Sequence, residues 1–267
     1  MSKGVLLFAF NNGVVDYYGM AVATAKRINH FLNLPVTVVT DANTIIDNYD
    51  YTFDNTIVVE SDNTNKNVEN HIWINKGRYR AYTLSPYDET LLLDTDYLIN
   101  TNTLLKPFDL YDDFMCHNKI NYLMNPYMGQ ERISKHSFDT FWATVLYFKK
   151  TKKTKLIFDC MKMIQENYNH YIKIYDPTVG FYRNDFALTI ALRTLHGQLE
   201  DKTNYIPWNL THVVKEASVV PNTSQPFNTS YTVLQDNTQR FKVRKEYVIV
   251  KDMDFHMMNK ENFMEIA

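Results

Sequence analysis

Two carboxylates one residue apart follow an apolar run near the middle of the chain. Residues 91–93 are all leucine and lead directly into Asp94, Thr95 and Asp96. Such a run predicts a buried, parallel strand, and the ligands of open α/β sheets collect at the carboxyl ends of such strands. Alternate residues of an extended segment project the same way, so Asp94 and Asp96 can converge on one divalent cation. The alternative is an Asp-rich turn that caps the next element.

The overall composition of the chain gives it almost no net charge. The chain has 267 residues and a formal net charge of -2, with a pI near 6.4. This length can bury a large core, and we favour one domain over two small ones. A nearly neutral chain attracts polyanions only through a local basic patch, so nucleic-acid binding would depend on such a patch.

Cysteine usage and hydropathy indicate the compartment. Cys116 and Cys160 are the two cysteines, and they lack metal-ligand spacing, which fits a reducing environment. No apolar stretch approaches the roughly 20 residues that span a bilayer. The N-terminus carries a single lysine before a short apolar strand and does not look like a secretory signal. We therefore expect a cytoplasmic protein with no membrane partner.

The elements before the aspartates alternate as β, α and β. Strands are predicted over 5–10, 36–40 and 56–60, with an amphipathic helix over 17–32 whose N-cap is Asp16. A polar loop is predicted over 61–70 and helical structure over 71–84. This alternation is typical of an α/β fold with a Rossmann-like sheet.

The second half is less regular. A strand is predicted over 141–148, followed by a lysine-rich loop over 149–155 and a helix whose inward residues run from Leu156 to Ile164. Asp185 begins another helical pattern. Irregular structure or short hairpins are predicted over 213–240, and a late strand over 247–250.

Residues 79–96 carry the resemblance to a known family. They run Tyr-Arg-Ala-Tyr-Thr-Leu-Ser-Pro-Tyr-Asp-Glu-Thr-Leu-Leu-Leu-Asp-Thr-Asp, which resembles the approach to the Asp-x-Asp motif of GT-A fold glycosyltransferases, including the glycogenin and galactosyltransferase-like retaining group. The resemblance implies a single GT-A domain over 1–267, with a mixed central sheet flanked by helices. Its nucleotide-binding half is expected over about 1–100 and its acceptor half over about 101–267. The resemblance also implies that a downstream histidine, here His256, completes the metal site.

The chain departs from that pattern in two places. Met257, Met258 and Asn259 stand where the retaining group often has a glycine-rich segment, which puts backbone contacts to a diphosphate in doubt. Residues 142–144, Trp-Ala-Thr, stand where the group has an Asn-Ala-Gly-like segment. The chain is also similar to small glycosyltransferases of tailed bacteriophages, some of which modify hydroxymethylated bases of their own DNA. That likeness implies the host cytoplasm and a DNA acceptor.

The implied reaction moves a sugar from a nucleotide-diphosphate-sugar, with a UDP-sugar favoured, to a hydroxyl, with retention. A cation, Mn²⁺ or Mg²⁺, bound to both phosphates stabilises the charge of the leaving group. The candidate metal ligands are Asp94, Asp96 and His256. The resemblance and the positions at strand ends give these donor-binding candidates: Phe10, Asn11, Asn12, Tyr17, Asp41, Lys76, Arg80, Thr95 and Lys260, of which Lys260 is expected to hold the diphosphate.

Asn184 and Asp185 are the candidate catalytic residues, facing the anomeric carbon or the acceptor. The alternative for Asp185 is a helix N-cap. The lysine run over 149–155, extended by Lys242, Arg244 and Lys245, could grip DNA phosphates or could be a solvated edge. Two other functions remain open: an inactive binding protein of the same fold, and a metal-dependent nucleotidyltransferase that releases pyrophosphate.

Overall fold

A computed structural model describes residues 1–44, 49–60, 75–110, 112–125, 130–177, 180–197, 203–239 and 242–267. The helices are α1 (Tyr17–Leu32), α2 (Ala81–Leu84), α3 (Lys152–Glu166), α4 (Tyr168–Tyr175), α5 (Asn184–Leu195) and α6 (Lys260–Ile266), with 3-10 helices at Asn75–Arg80 and Thr103–Asp109. The strands are β1 (Lys3–Phe8), β2 (Val36–Asp41), β3 (Asn55–Val59), β4 (Glu89–Leu93), β5 (Tyr97–Leu98), β6 (Phe114–His117), β7 (Ile120–Tyr122), β8 (Trp142–Lys149), β9 (Asn204–Tyr205), β10 (Leu210–Val213), β11 (Ser218–Pro221), β12 (Ser230–Gln239), β13 (Lys242–Lys251) and β14 (Phe255–Met257).

A seven-stranded sheet forms the centre, in the order β3-β2-β1-β4-β8-β6-β9. Strands β3, β2, β1 and β4 are parallel, and β8 runs antiparallel to β4. Alternate residues of β1 face opposite sides: Val5 packs in a cluster with α1, and Leu6 in a cluster with α3 and α5. The predicted α/β class, a mixed central sheet flanked by helices, is therefore confirmed.

The first helix matches its prediction because its ends are marked in the sequence. The Asp16 carboxylate accepts a hydrogen bond from the Gly19 N–H at 3.0 Å, and Asn33 ends the helix in the left-handed conformation with φ 51°. Strand β1 begins and ends two residues earlier than predicted, so Phe10 lies in the turn after it. The loop predicted over 61–70 and the start of the helix predicted over 71–84 lie outside the described residues.

Of the two alternatives predicted over 213–240, irregular structure or short hairpins, the hairpin is the one that forms, and its strands are longer than expected. Strands β12 and β13 form a regular hairpin, paired from Ser230 and Lys251 to Gln239 and Lys242. Tyr231 and Val233 are buried on one face, while the other face mixes polar residues such as Thr232 with exposed apolar ones such as Leu234. This mixture concealed the alternation of a half-exposed strand. The late strand predicted over 247–250 is part of β13.

Two smaller sheets complete the part of the chain that the structure describes. One has the order β5-β14-β10-β7 and the other β11-β12-β13. The first joins the turn after β4 to the C-terminal segment, because β5 and β14 are neighbours. Among the described residues, every helix is too short or too polar to cross a membrane.

Candidate metal and donor site

The Asp-x-Asp segment lies in a turn at the carboxyl end of β4. The Tyr97 N–H donates to the Asp94 carbonyl at 3.2 Å, and the Asp94 N–H donates to the Thr144 carbonyl of β8 at 2.9 Å. Residues 95 and 96 are turn residues, so the turn, and not an extended backbone, sets the directions of the two carboxylates. The expectation that an extended backbone directs the two carboxylates the same way is therefore wrong, and the turn of the alternative interpretation is present.

His256 reaches the aspartates through β14. Its strand pairs antiparallel with β5, with His256 opposite Tyr97, and its Nε2 lies 3.1 Å from Asp96 Oδ2. One ligand atom from each of Asp94, Asp96 and His256 lies within 4.8 Å of the others. Two carboxylates and one imidazole suit Mn²⁺, and Mg²⁺ accepts them less readily. These residues fit a divalent cation.

Each carboxylate also contacts a cation of the protein. The Arg78 guanidinium donates to Asp94 Oδ1, and it also lies 3.3 Å from the Thr144 carbonyl. The Lys260 ammonium contacts Asp96 Oδ2. Lys260 is the first residue of α6, and burial lowers its pKa to about 8 although the charge of Asp94 raises it. The site therefore holds two positive and two negative side chains before any ligand enters.

A second histidine, absent from the sequence predictions, borders the site. His212 on β10 lies beside His256 on β14, and their Nδ1 atoms are 3.0 Å apart. Burial lowers the pKa of His256. Burial, with His256 and Arg183, lowers the pKa of His212 to about 3. Both rings are consequently neutral near pH 7.

Asp185 lies in the first turn of α5. The N-cap position is Arg183, so the N-cap interpretation of Asp185 is wrong. Its Oδ1 accepts from the Ala143 N–H at 2.8 Å, and its Oδ2 accepts from Arg183 at 3.0 Å. The charge of Asp185 acts to raise the pKa of His256, so this carboxylate is within electrostatic reach of one candidate metal ligand. Asn184 is buried, and its Oδ1 accepts from the Tyr182 hydroxyl at 3.2 Å.

The donor candidates between β1 and α1 form hydrogen bonds with the backbone of this connection. Asn11 Oδ1 accepts from the Tyr18 N–H at 2.9 Å. Asn12 Oδ1 accepts from the N–H of Val15 at 2.8 Å. Burial, and after it the charge of Asp94, raises the pKa of the Tyr17 hydroxyl, so this side chain is within electrostatic reach of Asp94.

The other donor candidates lie on several different elements. Asp41 is buried at the end of β2, and the Thr95 carbonyl accepts from the Thr24 hydroxyl at 2.7 Å. The Phe10 ring lies 6.3 Å from that of Phe8. Arg80 ends a 3-10 helix and is partly exposed. The side chain of Lys76 is outside the part of the chain that the structure describes.

The lysine run lies away from the site. Lys149 pairs with Glu89 at the start of β4, whereas Val145 pairs with Leu93 at its end. Four residues of strand separate the two positions by about 13 Å. The part of the run predicted as loop from Lys152 onward forms the start of α3. Lys245 is exposed on β13, and the side chains of Lys242 and Arg244 lie outside the described residues.

No protein-family model and no curated protein matches the sequence. The solved structures similar to the chain include the galactosyltransferase LgtC with donor and acceptor sugar analogues, at 14% identity and TM-score 0.48 over 76% of this chain and 72% of LgtC. Mouse xyloside xylosyltransferase 1 matches at 10% identity and TM-score 0.44, over 80% of this chain and 86% of the mouse protein. The glycosyltransferase GlyE of Streptococcus pneumoniae matches at 13% identity and TM-score 0.41, over 76% and 45%. Likeness at this level carries no argument about activity, which has to come from the site.

Proposed function

We propose that this protein is a metal-dependent glycosyltransferase of the GT-A type that transfers a sugar from a nucleotide-diphosphate-sugar to a hydroxyl. One observation carries the proposal: Asp94 and Asp96 in one turn and His256 in a distant strand bring three ligand atoms within 4.8 Å of one another. They do so at the carboxyl end of β4, where open α/β sheets bind their ligands. Lys260 lies beside them as a cation for the diphosphate. Mn²⁺ is the favoured ion and Mg²⁺ the alternative.

In the proposed reaction, the bond between the anomeric carbon and the diphosphate oxygen breaks. A bond forms from that carbon to the acceptor oxygen, and the acceptor proton leaves with the diphosphate. A divalent cation, when bound, supplies electrostatic stabilisation of the departing diphosphate. Lys260 adds a fixed positive charge toward the same anion.

We propose retention of configuration, with Asp185 facing the sugar. Both of its oxygens accept hydrogen bonds, from Ala143 and Arg183. A carboxylate held in this way is suited to stabilise an oxocarbenium-like sugar by its charge, more than to remove a proton. Asn184, the adjacent residue, is proposed to contact the acceptor. NMR of the anomeric configuration of the product tests retention, and an inverted product would contradict it.

The finer proposals concern the donor and the acceptor. A UDP-sugar donor and hydroxymethylated bases of phage DNA as the acceptor derive from the sequence resemblance alone. The lysine run gives the DNA proposal no support, because it lies at the opposite end of β4. Transfer of labelled sugar to hydroxymethylated DNA, compared with unmodified DNA of the same sequence, tests the acceptor directly.

The main experiment measures nucleotide release from a panel of UDP-sugars and GDP-sugars with Mn²⁺. We expect EDTA to stop nucleotide release. In Asp96→Asn the rate of release should fall by roughly 10²–10³-fold, which is the usual effect of removing one group that stabilises the transition state electrostatically. Asp159→Asn is the matched control, because Asp159 is an exposed carboxylate of α3 paired with Lys155. Asp159→Asn should keep the wild-type rate.

Two outcomes would contradict the proposal. A folded protein that releases no nucleotide from any donor behaves as a binding protein. Pyrophosphate release from nucleoside triphosphates, without release from sugar donors, identifies a nucleotidyltransferase.

A further inference from the structure

His212 meets His256 across two parallel strands. The register of β10 and β14 places the two residues opposite each other, and their Nδ1 atoms are 3.0 Å apart. A hydrogen bond between two ring nitrogens contains one proton, so one ring donates and the other accepts. The second nitrogen of His256, Nε2, faces Asp96 Oδ2 at 3.1 Å.

The direction of this hydrogen bond decides whether His256 can bind a cation. A neutral imidazole carries one proton, so Nε2 offers a lone pair to a metal only when the proton is on Nδ1. In that form, the Nδ1–H of His256 points at Nδ1 of His212, which accepts it. With the opposite direction, His256 carries its proton on Nε2 and presents an N–H to Asp96.

The His212 ring is confined, so the acceptor stays in place. Its strand β10 lies between β14 and β7. The ring of Tyr122 packs against it edge-on with centroids 5.2 Å apart, and the ring of Trp142 lies 6.5 Å away. His212 is 8% exposed, so bulk water does not readily replace it as the partner of His256.

We propose that His212 is a positioning residue for the metal site: it accepts the Nδ1–H of His256 and keeps Nε2 of His256 available to the cation. This inference rests on the proposed function, specifically on cation binding by Asp94, Asp96 and His256. Metal-binding histidines usually donate to a carboxylate, a carbonyl or water. An imidazole in that position adds no negative charge beside carboxylates that Arg78 and Lys260 already neutralise.

The test compares His212→Leu, which removes the acceptor, with His212→Asn, which places an amide oxygen near the position of Nδ1. Thr211→Val, a conservative change at the neighbouring position of β10, is the matched control. Each protein is titrated with Mn²⁺ alone, free Mn²⁺ is followed by EPR, and thermal melting checks the fold. We expect affinity to fall roughly 10- to 100-fold in His212→Leu, and to stay near the wild-type value in His212→Asn and Thr211→Val.

The outcomes separate this inference from the proposed function. Equal Mn²⁺ affinity in the wild type and His212→Leu would overturn the role of His212 while leaving the metal site intact. Equal weakening by Leu and Asn would overturn it too, because it would show that the ring matters only for packing. A folded wild type that binds no Mn²⁺, either alone or with UDP present, would remove the metal site itself, and the inference with it.

Discussion

Neutralising Asp94 by Asp94→Asn is expected to destabilise the metal-free fold, separately from any effect on catalysis. The reason is Arg78, whose side chain is 1% exposed while that of Asp94 is 28% exposed. A guanidinium does not deprotonate in proteins. Loss of the carboxylate charge would therefore leave a buried cation with a carbonyl and a neutral amide as its remaining partners.

The size of the effect follows from this burial. Removing one partner of a buried ion pair destabilises a protein by about 3–5 kcal/mol. We take the lower end, about 3 kcal/mol, because water reaches Asp94 and the new amide still accepts a hydrogen bond. With an unfolding entropy of about 2.1 cal/mol/K per residue, 267 residues give about 0.56 kcal/mol/K, so Tm should fall by about 5 °C.

Thermal melts by circular dichroism in EDTA measure this shift. Asp159→Asn, which breaks an exposed pair with Lys155, should melt close to the wild type. The double variant Arg78→Met with Asp94→Asn should recover most of the loss, since it removes the unpaired charge. A single variant that melts with the wild type, or a double variant that is less stable than the single one, would refute the reasoning.

Two further predictions concern the stability of the fold at residues outside the candidate metal site. His117 is fully buried, its ring nitrogens lack partners among the described residues, and burial lowers its pKa to about 3. The unfolded chain binds a proton at this histidine below about pH 6.5, whereas the folded chain does not until about pH 3. The free energy of unfolding should therefore fall by up to about 1.4 kcal/mol per pH unit from pH 6.5 toward pH 3. Urea melts of His117→Leu should show a smaller change of this free energy with pH, and the same change as in the wild type would contradict the prediction. Gly4→Ala should destabilise by about 1–3 kcal/mol, because the new methyl group would overlap the Tyr87 ring. Gly180→Ala, which meets open space, serves as its control, and equal stability of the two variants would show that the Tyr87 ring moves freely.

The first part of the fold could be predicted because its signals are local. Asp16 caps α1 as predicted, and Pro35 separates the helix from β2. The apolar runs of β1, β2 and β4 are continuous because parallel strands are buried on both faces. Bounds moved by only one or two residues in these strands.

The hairpin of β12 and β13 could not be read in the same way. Its exposed face carries polar and apolar residues together, such as Thr232, Leu234 and Tyr247, so the period-two pattern is weak. The position of Asp185 was misjudged for a related reason. Its carboxylate bonds to the backbone of β8, which is distant in sequence, instead of capping its own helix.

The site itself was only partly visible in the sequence. Asp94 and Asp96 were marked by the strand before them, and His256 and Lys260 by the resemblance to GT-A enzymes. His212 carried no signal, because its contact with His256 depends on the parallel pairing of two short strands. Arg78 was not among the candidates either, because its contacts with Asp94 and with the Thr144 carbonyl of β8 depend on tertiary packing.

Under the proposed function, the charge balance of the site predicts how the cation and the donor affect each other's binding. Arg78 and Lys260 already neutralise Asp94 and Asp96, so a divalent ion alone would leave an excess of positive charge in a partly buried place. A diphosphate carries the negative charge that removes this excess, and Lys260 can then exchange its contact with Asp96 for a phosphate oxygen. Cation and donor should therefore each bind more tightly in the presence of the other, and by linkage the two enhancements must be equal.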